Sequence, residues 1–167
     1  MKRLLFVLSL VLAFVLGITA ARLAPAPAVD AASIQPSAGW TIHIDAQKHF
    51  GDAHPAEIAH HWCKPVAGGM LECQIYDADT ADAHLVAVET IVPPSIYHSF
   101  TPQEQAYWHY HKDEIPKVSA TMPDVSAQDA AAMVAKISDT YGKIWLLYDP
   151  MSTNNLPTGS PSVTVLK

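Results

Sequence analysis

Alternation of apolar and polar positions is the strongest pattern along the chain. Trp40-Thr-Ile-His-Ile44 puts an apolar side chain at every second position, the period of a half-buried strand. Leu71-Glu-Cys73-Gln-Ile75-Tyr76 repeats the pattern, with Leu71, Cys73 and Ile75 on one face. Leu85 to Val92 is β-rich and apolar on both faces except at Glu89, which predicts a central strand antiparallel to the preceding one. Lys143 to Tyr148 sets Ile144, Leu146 and Tyr148 against Trp145 and Leu147, and Ser162 to Leu166 can add a last strand. Turn residues separate these runs: Pro65 and Gly68-Gly69 between Lys64 and Met70, then the acidic stretch Asp77 to Ala83, then Pro157-Thr-Gly159-Ser-Pro161.

Helical signals are fewer. Pro55 suits a first helical position, and Ala56 to His61 then reads as a short helix. Thr101-Pro102-Gln103-Glu104 is a capping box, predicting a helix through Trp108 or His109. Ser126-Ala-Gln-Asp129 opens another, with Met133, Val134, Ile137 and Tyr141 on one side and Gly142 as its stop. Grouped rather than alternating elements predict an α+β class, a mainly antiparallel sheet with a few short helices packed on it.

The front of the chain follows neither period. Met1-Lys2-Arg3 precede an almost wholly apolar run, Leu4 to Ile18, and then Thr19-Ala20-Ala21. This is the form of a cleaved signal peptide over residues 1–21. The run is also close to the ~18 residues at which spanning begins, so an N-terminal membrane anchor is the alternative. Residues 22–39 are Ala/Pro-rich and read as a disordered linker, which leaves 40–167 as a single domain large enough to bury its own core. The expected location is secreted or periplasmic, with no transmembrane segment after signal removal.

A formal net charge of −6 and no Lys/Arg stripe disfavour nucleic acid as a partner. Export places Cys63 and Cys73 in an oxidising compartment, where a disulfide across the Gly68-Gly69 turn is open to them. A pair of reduced core cysteines is equally open.

Histidine carries the chemical question. His54, His60, His61, His109 and His111, five of the nine, lie in two short segments rich in tryptophan. On a helix from Pro55, Glu57 and His61 share a face and Glu57 and His60 nearly do. His109 and His111 share a face only if the chain is extended there, so a helix from Thr101 must end by about Trp108. The candidate metal ligands are thus His61, His109, His111, Glu57 and His60, with Cys63 joining if reduced. Such a set suits zinc or another first-row transition metal. The spacing matches neither the two-histidine zinc-protease motif nor a paired Glu-x-x-His di-iron set. The plain alternative is a set of rim histidines bonded to backbone carbonyls, with Trp62 and Trp108 as core or rim anchors. His43, His49, His84 and His98 are scattered and read as solvated. Asp77, Asp79 and Asp82 fail the calcium-loop template, which needs Gly where Asp82 stands and Glu where Val88 stands. No nucleophile elbow, phosphate loop or dinucleotide fingerprint is present.

At these residues the chain resembles the oil body-associated protein family. The matching blocks are Ala59-His60-His61-Trp62-Cys63, Glu72-Cys73-Gln74-Ile75-Tyr76-Asp77, Asp82-Ala83-His84-Leu85-Val86-Ala87-Val88-Glu89, Trp108-His109-Tyr110-His111, Thr140-Tyr141-Gly142-Lys143 and Leu156-Pro157-Thr158-Gly159-Ser160-Pro161. The resemblance implies a shared fold and no defined reaction. It also shows departures: His84 stands where the family usually has Arg, and Ile144-Trp145-Leu146-Leu147 stands where it tends to have a His.

Three functions compete. One is a histidine-centred metal or small-ligand site. Another is a lipid-surface or apolar-ligand module, against which no long amphipathic helix with a basic face is found. The third is a hydrolase using His61 or His109 as general base with Glu57 or Glu89 as orienting carboxylate. No motif demands an enzyme.

Overall fold

The computed structural model describes residues 38–50 and 57–164, all within one compact unit spanning Ser37–Lys167. The expected signal peptide, most of the expected linker, His54, Pro55 and the end of the expected last strand lie outside the described residues. Seven strands form one sheet: β1 (Ile42–Gln47), β2 (Ile58–Val66), β3 (Met70–Tyr76), β4 (Leu85–Val92), β5 (His109–Tyr110), β6 (Tyr141–Leu146) and β7 (Ser162–Thr164). Their order is β1-β2-β3-β4-β6-β5, with β7 also paired to β6, and every pairing is antiparallel. Among the described residues five α-helices accompany them: α1 (Pro94–Tyr97), α2 (Pro102–Gln105), α3 (His111–Glu114), α4 (Ala127–Ser138) and α5 (Pro150–Thr153). The expected α+β class is the one the chain forms, and β4 is central as its apolar run predicts. No helix among the described residues is long and apolar enough to cross a membrane.

The register lines up the inner face in rows. Ile42, Cys63, Cys73, Glu89 and Ile144 are successive cross-strand partners from β1 to β6. Ile44, His61, Ile75, Ala87 and Leu146 form the next row. Each row is apolar except at one residue, Glu89 or His61. Ile75 and Ile144 are almost fully buried, each worth about 1.5–3 kcal/mol of burial. Cys63 and Cys73 are joined in a disulfide, with Cα atoms 4.0 Å apart.

One long crossover, residues 93–140, separates β4 from β6 and carries all the helices but α5. It comes back to the free edge of β1, where Gln47 donates to the Val118 carbonyl and Asp45 bridges Thr121. Ile115, Val118, Val134 and Ile137 from this crossover cover the inner face.

Three elements differ from expectation. The helix predicted through His61 is strand β2. A helix of some seven residues is marginal alone, whereas β2 gains ladders on both sides and buries Ala59, His61 and Cys63 alternately. The helix after Thr101 forms, with Thr101 Oγ1 accepting from the Glu104 N–H, but stops at Gln105. Trp108 instead returns its indole N–H to Glu104 at 2.9 Å, and Lys143 donates to the same carboxylate at 2.7 Å. The Ser126-capped helix ends at Ser138, because Asp139 leaves the helical region. Tyr141 and Gly142 therefore start strand β6, and Tyr141 stacks between Tyr97 and Tyr110.

Candidate metal centre

Three short elements converge beside the inner face. Glu89 projects from β4, His109 from β5, and His111 and Glu114 from the two ends of α3. The stop of α2 at Gln105 leaves His109 extended, while His111 begins the next helix, so the two rings approach at 4.9 Å between centroids. Glu89, His109 and His111 are all buried, and one ligand atom from each lies within 4.8 Å of the others. His109 Nε2 is 3.3 Å from Glu89 Oε1 and 3.0 Å from Glu114 Oε2. His111 Nε2 is 3.3 Å from the same Glu89 oxygen.

The remaining ring nitrogens show how the imidazoles are aimed. Thr140 spends its only hydroxyl proton on the Ile137 carbonyl at 2.5 Å, so it must accept from His111 Nδ1 at 2.8 Å. That fixes Nε2 of His111 as the nitrogen facing Glu89. His49 donates Nδ1 to the Gln47 carbonyl and pairs Nε2 with Glu114. His61 donates Nδ1 to the carbonyls of Ala59 and Ile44 at 3.1 and 3.2 Å. Outer partners on one ring nitrogen are the usual means of orienting a ligand histidine. His109 is the exception: neither ring nitrogen has a well-formed hydrogen bond despite burial.

Electrostatics tie the cluster together. Burial alone would lift Glu89, but the close imidazoles of His109 and His111 hold it well below the ordinary carboxylate range. Burial is likewise outweighed at Glu114, which His109 and His49 hold down to about 2. His109 is opposed by burial yet pushed up to about 9 by Glu114 and Glu89. His49 rises against its own burial, chiefly through Glu114. His61 moves the other way: burial dominates and favours its neutral ring.

Gly142 makes the room. A Cβ built there would fall onto Glu89 Oε1 and His109 Nε2. Gly142 pairs directly with His109 and sits on the strand beside Glu89, so only glycine lets both side chains pass. The cluster stands between two spaces. Behind it is a cavity of about 50 Å³ reached by His61, Glu89 and His111. In front is a cleft of about 420 Å³ bordered by Trp108, His109, Tyr110 and Lys117.

Of the residues expected to form a site, His109 and His111 come together, and His61 faces the same inner cavity. Glu57 and His60 do not join them. Glu57 pairs with Lys48 at 2.7 Å, and His60 points to the opposite face of the sheet because adjacent strand residues alternate. Cys63 is committed to its disulfide. Trp62 stacks on His43, and Trp108 packs on Phe100. The expectation of solvated histidines fails at His43, which is 3 % exposed, and at His49, whose partner is Glu114. Glu114, His49, Thr140 and Gly142 were not singled out as site residues. Glu114 was within reach, since it lies three residues after His111 in the spacing His-x-His-x-x-Glu.

Comparison with known proteins decides the family. The family described as "Protein of unknown function (DUF1264)" matches residues 34–166. The chain belongs to this family. Among its relatives, oil body-associated protein 2A of Zea mays is 35 % identical over 106 residues, covering 64 % of this chain and 42 % of that protein. Oil body-associated protein 2A of Arabidopsis thaliana is 29 % identical over 132 residues, covering 78 % and 53 %. Oil body-associated protein 2C of Arabidopsis thaliana is 31 % identical over 113 residues, covering 68 % and 48 %. The chain thus spans about half the length of the curated relatives it matches. No solved structure matches it.

His84 closes the β3–β4 turn, its Nδ1 2.9 Å from Asp77 Oδ2. Ile144, first of the residues after the Tyr141-Gly142-Lys143 block, lies directly opposite Glu89 and presents an apolar side chain to the site.

Proposed function

We propose that this DUF1264 protein binds a first-row divalent metal ion, zinc being the simplest, through Glu89, His109 and His111, with Glu114 beside them. The observation that carries the reading is the convergence of three buried ligand atoms within 4.8 Å, with the His111 ring aimed by Thr140. Two imidazoles and a carboxylate suit a borderline cation and leave coordination positions open. His61 and His49 stand behind as further nitrogen donors. An ion there would displace the His109 proton, so it competes with a ring that stays charged up to about pH 9.

The competing readings are supported less well. A general base must be unprotonated, which suits His109 poorly without a metal. The inner cavity of about 50 Å³ is far below the roughly 300–1,000 Å³ of small-molecule pockets, so it does not favour a bulky apolar ligand. The front cleft of about 420 Å³ reaches that range and would let a small ligand meet the ion. Oil-body association is stated in the names of the plant relatives, and droplet flotation would test it for this chain.

The test is zinc content after chelator treatment and reloading. The wild-type protein is expected to hold one more equivalent than His111→Ala or Glu89→Gln. A wild type that binds no more zinc than either folded variant contradicts the proposal.

A further inference from the structure

The opposite face of the sheet carries a second group of the same chemistry. His43 and Asp45 project outward from β1, and their cross-strand partners on β2 are Trp62 and His60. Two antiparallel pairs thus form a square of side chains, and strand period alone puts them together. His43 Nε2 lies 3.0 Å from Asp45 Oδ1, and His60 Nδ1 lies 2.7 Å from the same oxygen. One ligand atom from each of the three is within 4.8 Å of the others.

His43 is the telling residue. Its side chain is 2 % exposed, and Nδ1 is occupied by Asp124 Oδ2 at 2.9 Å. A carboxylate can only accept, so Nδ1 carries a proton there, and Nε2 is the nitrogen turned toward Asp45. Nε2 is buried and has no well-formed hydrogen bond. Nε2 and the Asp45 oxygen, 3.0 Å apart, need a positive centre between them, which a ring proton or a bound cation supplies. Trp62 stacks on the His43 ring, 4.2 Å between centroids and 12° from parallel, and fixes its plane. Asp124 plays the carboxylate partner that orients a ligand histidine.

We infer that His43, His60 and Asp45 form a second metal site, for a borderline divalent cation such as zinc or copper(II), with Asp124 as its positioning residue. Two nitrogens and one oxygen make three protein ligands. The side chains of His60 and Asp45 are 16 % and 24 % exposed, which leaves the ion an entry path and a water position. The site does not depend on the inner cluster: the sheet separates them, and His60 and His61 send neighbouring imidazoles to opposite faces.

The experiment titrates zinc into chelator-treated full-length protein and follows copper(II) quenching of tryptophan fluorescence. Asp45→Asn and His60→Ala are both made, because their partly exposed side chains favour retained folding, which circular dichroism checks. Each is expected to lose one equivalent of zinc relative to wild type while keeping the equivalent that His111→Ala removes. Asp124→Asn is expected to keep the stoichiometry and weaken this equivalent by about 10- to 100-fold. Quenching in wild type is expected to fall when Trp62 is replaced by Phe. The inference is overturned if folded Asp45→Asn and His60→Ala proteins bind as much zinc, as tightly, as wild type. A wild type whose single equivalent disappears in His111→Ala overturns this site alone and leaves the inner one standing.

Discussion

The two faces of the sheet use the same residue types under different solvent conditions. On each, one histidine has its Nδ1 tied to an outer acceptor, Thr140 for His111 and Asp124 for His43, and turns Nε2 toward a carboxylate. The carboxylates differ. Glu89 and Glu114 have side chains 5 % and 10 % exposed, against 24 % and 58 % for Asp45 and Asp124. Inside, charge is tolerated only because each carboxylate meets imidazoles that answer it. Outside, water shares that task. The lesson is that two imidazoles and a carboxylate can be a folding liability on one face and a surface feature on the other.

The largest effect should come from breaking the inner balance. Glu89→Ala leaves the His109 charge buried beside Glu114 alone, and removing one partner of a buried pair costs about 3–5 kcal/mol. Denaturant unfolding of metal-free protein measures it. Asp45→Asn on the outer face should cost much less, and equal losses would erase the contrast between faces.

Gly142→Ala comes next. Its Cβ would need the space held by Glu89 Oε1 and His109 Nε2, so both must shift. Overpacking of this kind costs about 1–3 kcal/mol, and zinc binding should weaken with it. A neutral effect on both would show that the cradle is not tight. No comparable glycine backs the outer face among the described residues.

How much of this could be read along the chain follows from distance in sequence. Period-2 alternation revealed β3, and a run apolar on both faces revealed β4 with Glu89 as its lone charged residue. The condition on His109 and His111, an extended segment after Trp108, was legible because it depends on neighbours only. The strand at Ile58–Val66 was not, since a helix-start proline outweighed an alternation that only pairing with β1 and β3 could reward. With that strand misread, His60 and His61 both seemed to lie near Glu57, and the meeting of His60 with Asp45 was hidden. Gly142 read as a helix stop because its role is set by residues 53 positions earlier and 33 positions earlier, Glu89 and His109.

The smallest predicted effect is a pH trend in the metal-free protein. Around His109 stand Glu89 from β4, Glu114 and His111 from α3, and His49 and His61. Its ring keeps a proton up to about 9 when folded and only to 6.5 when unfolded. The folded state therefore binds more protons in that window, so this contribution is complete below pH 6.5 and is lost as pH rises to about 9. Glu114 acts oppositely: its contribution is present above 4.5 and is lost as pH falls toward 2. Thermal midpoints should drop between pH 6.5 and 9, and zinc should reverse the slope by taking the proton's place. A midpoint unaffected across that range would remove the charged cluster from the account.

The central claim is that Glu89, His109 and His111 hold one ion. Anomalous diffraction from a crystal of zinc-loaded protein tests it most directly. The account predicts a peak about 2.0–2.2 Å from one oxygen of Glu89 and one nitrogen of each histidine. Zinc-loaded crystals with no density among these three side chains would contradict it.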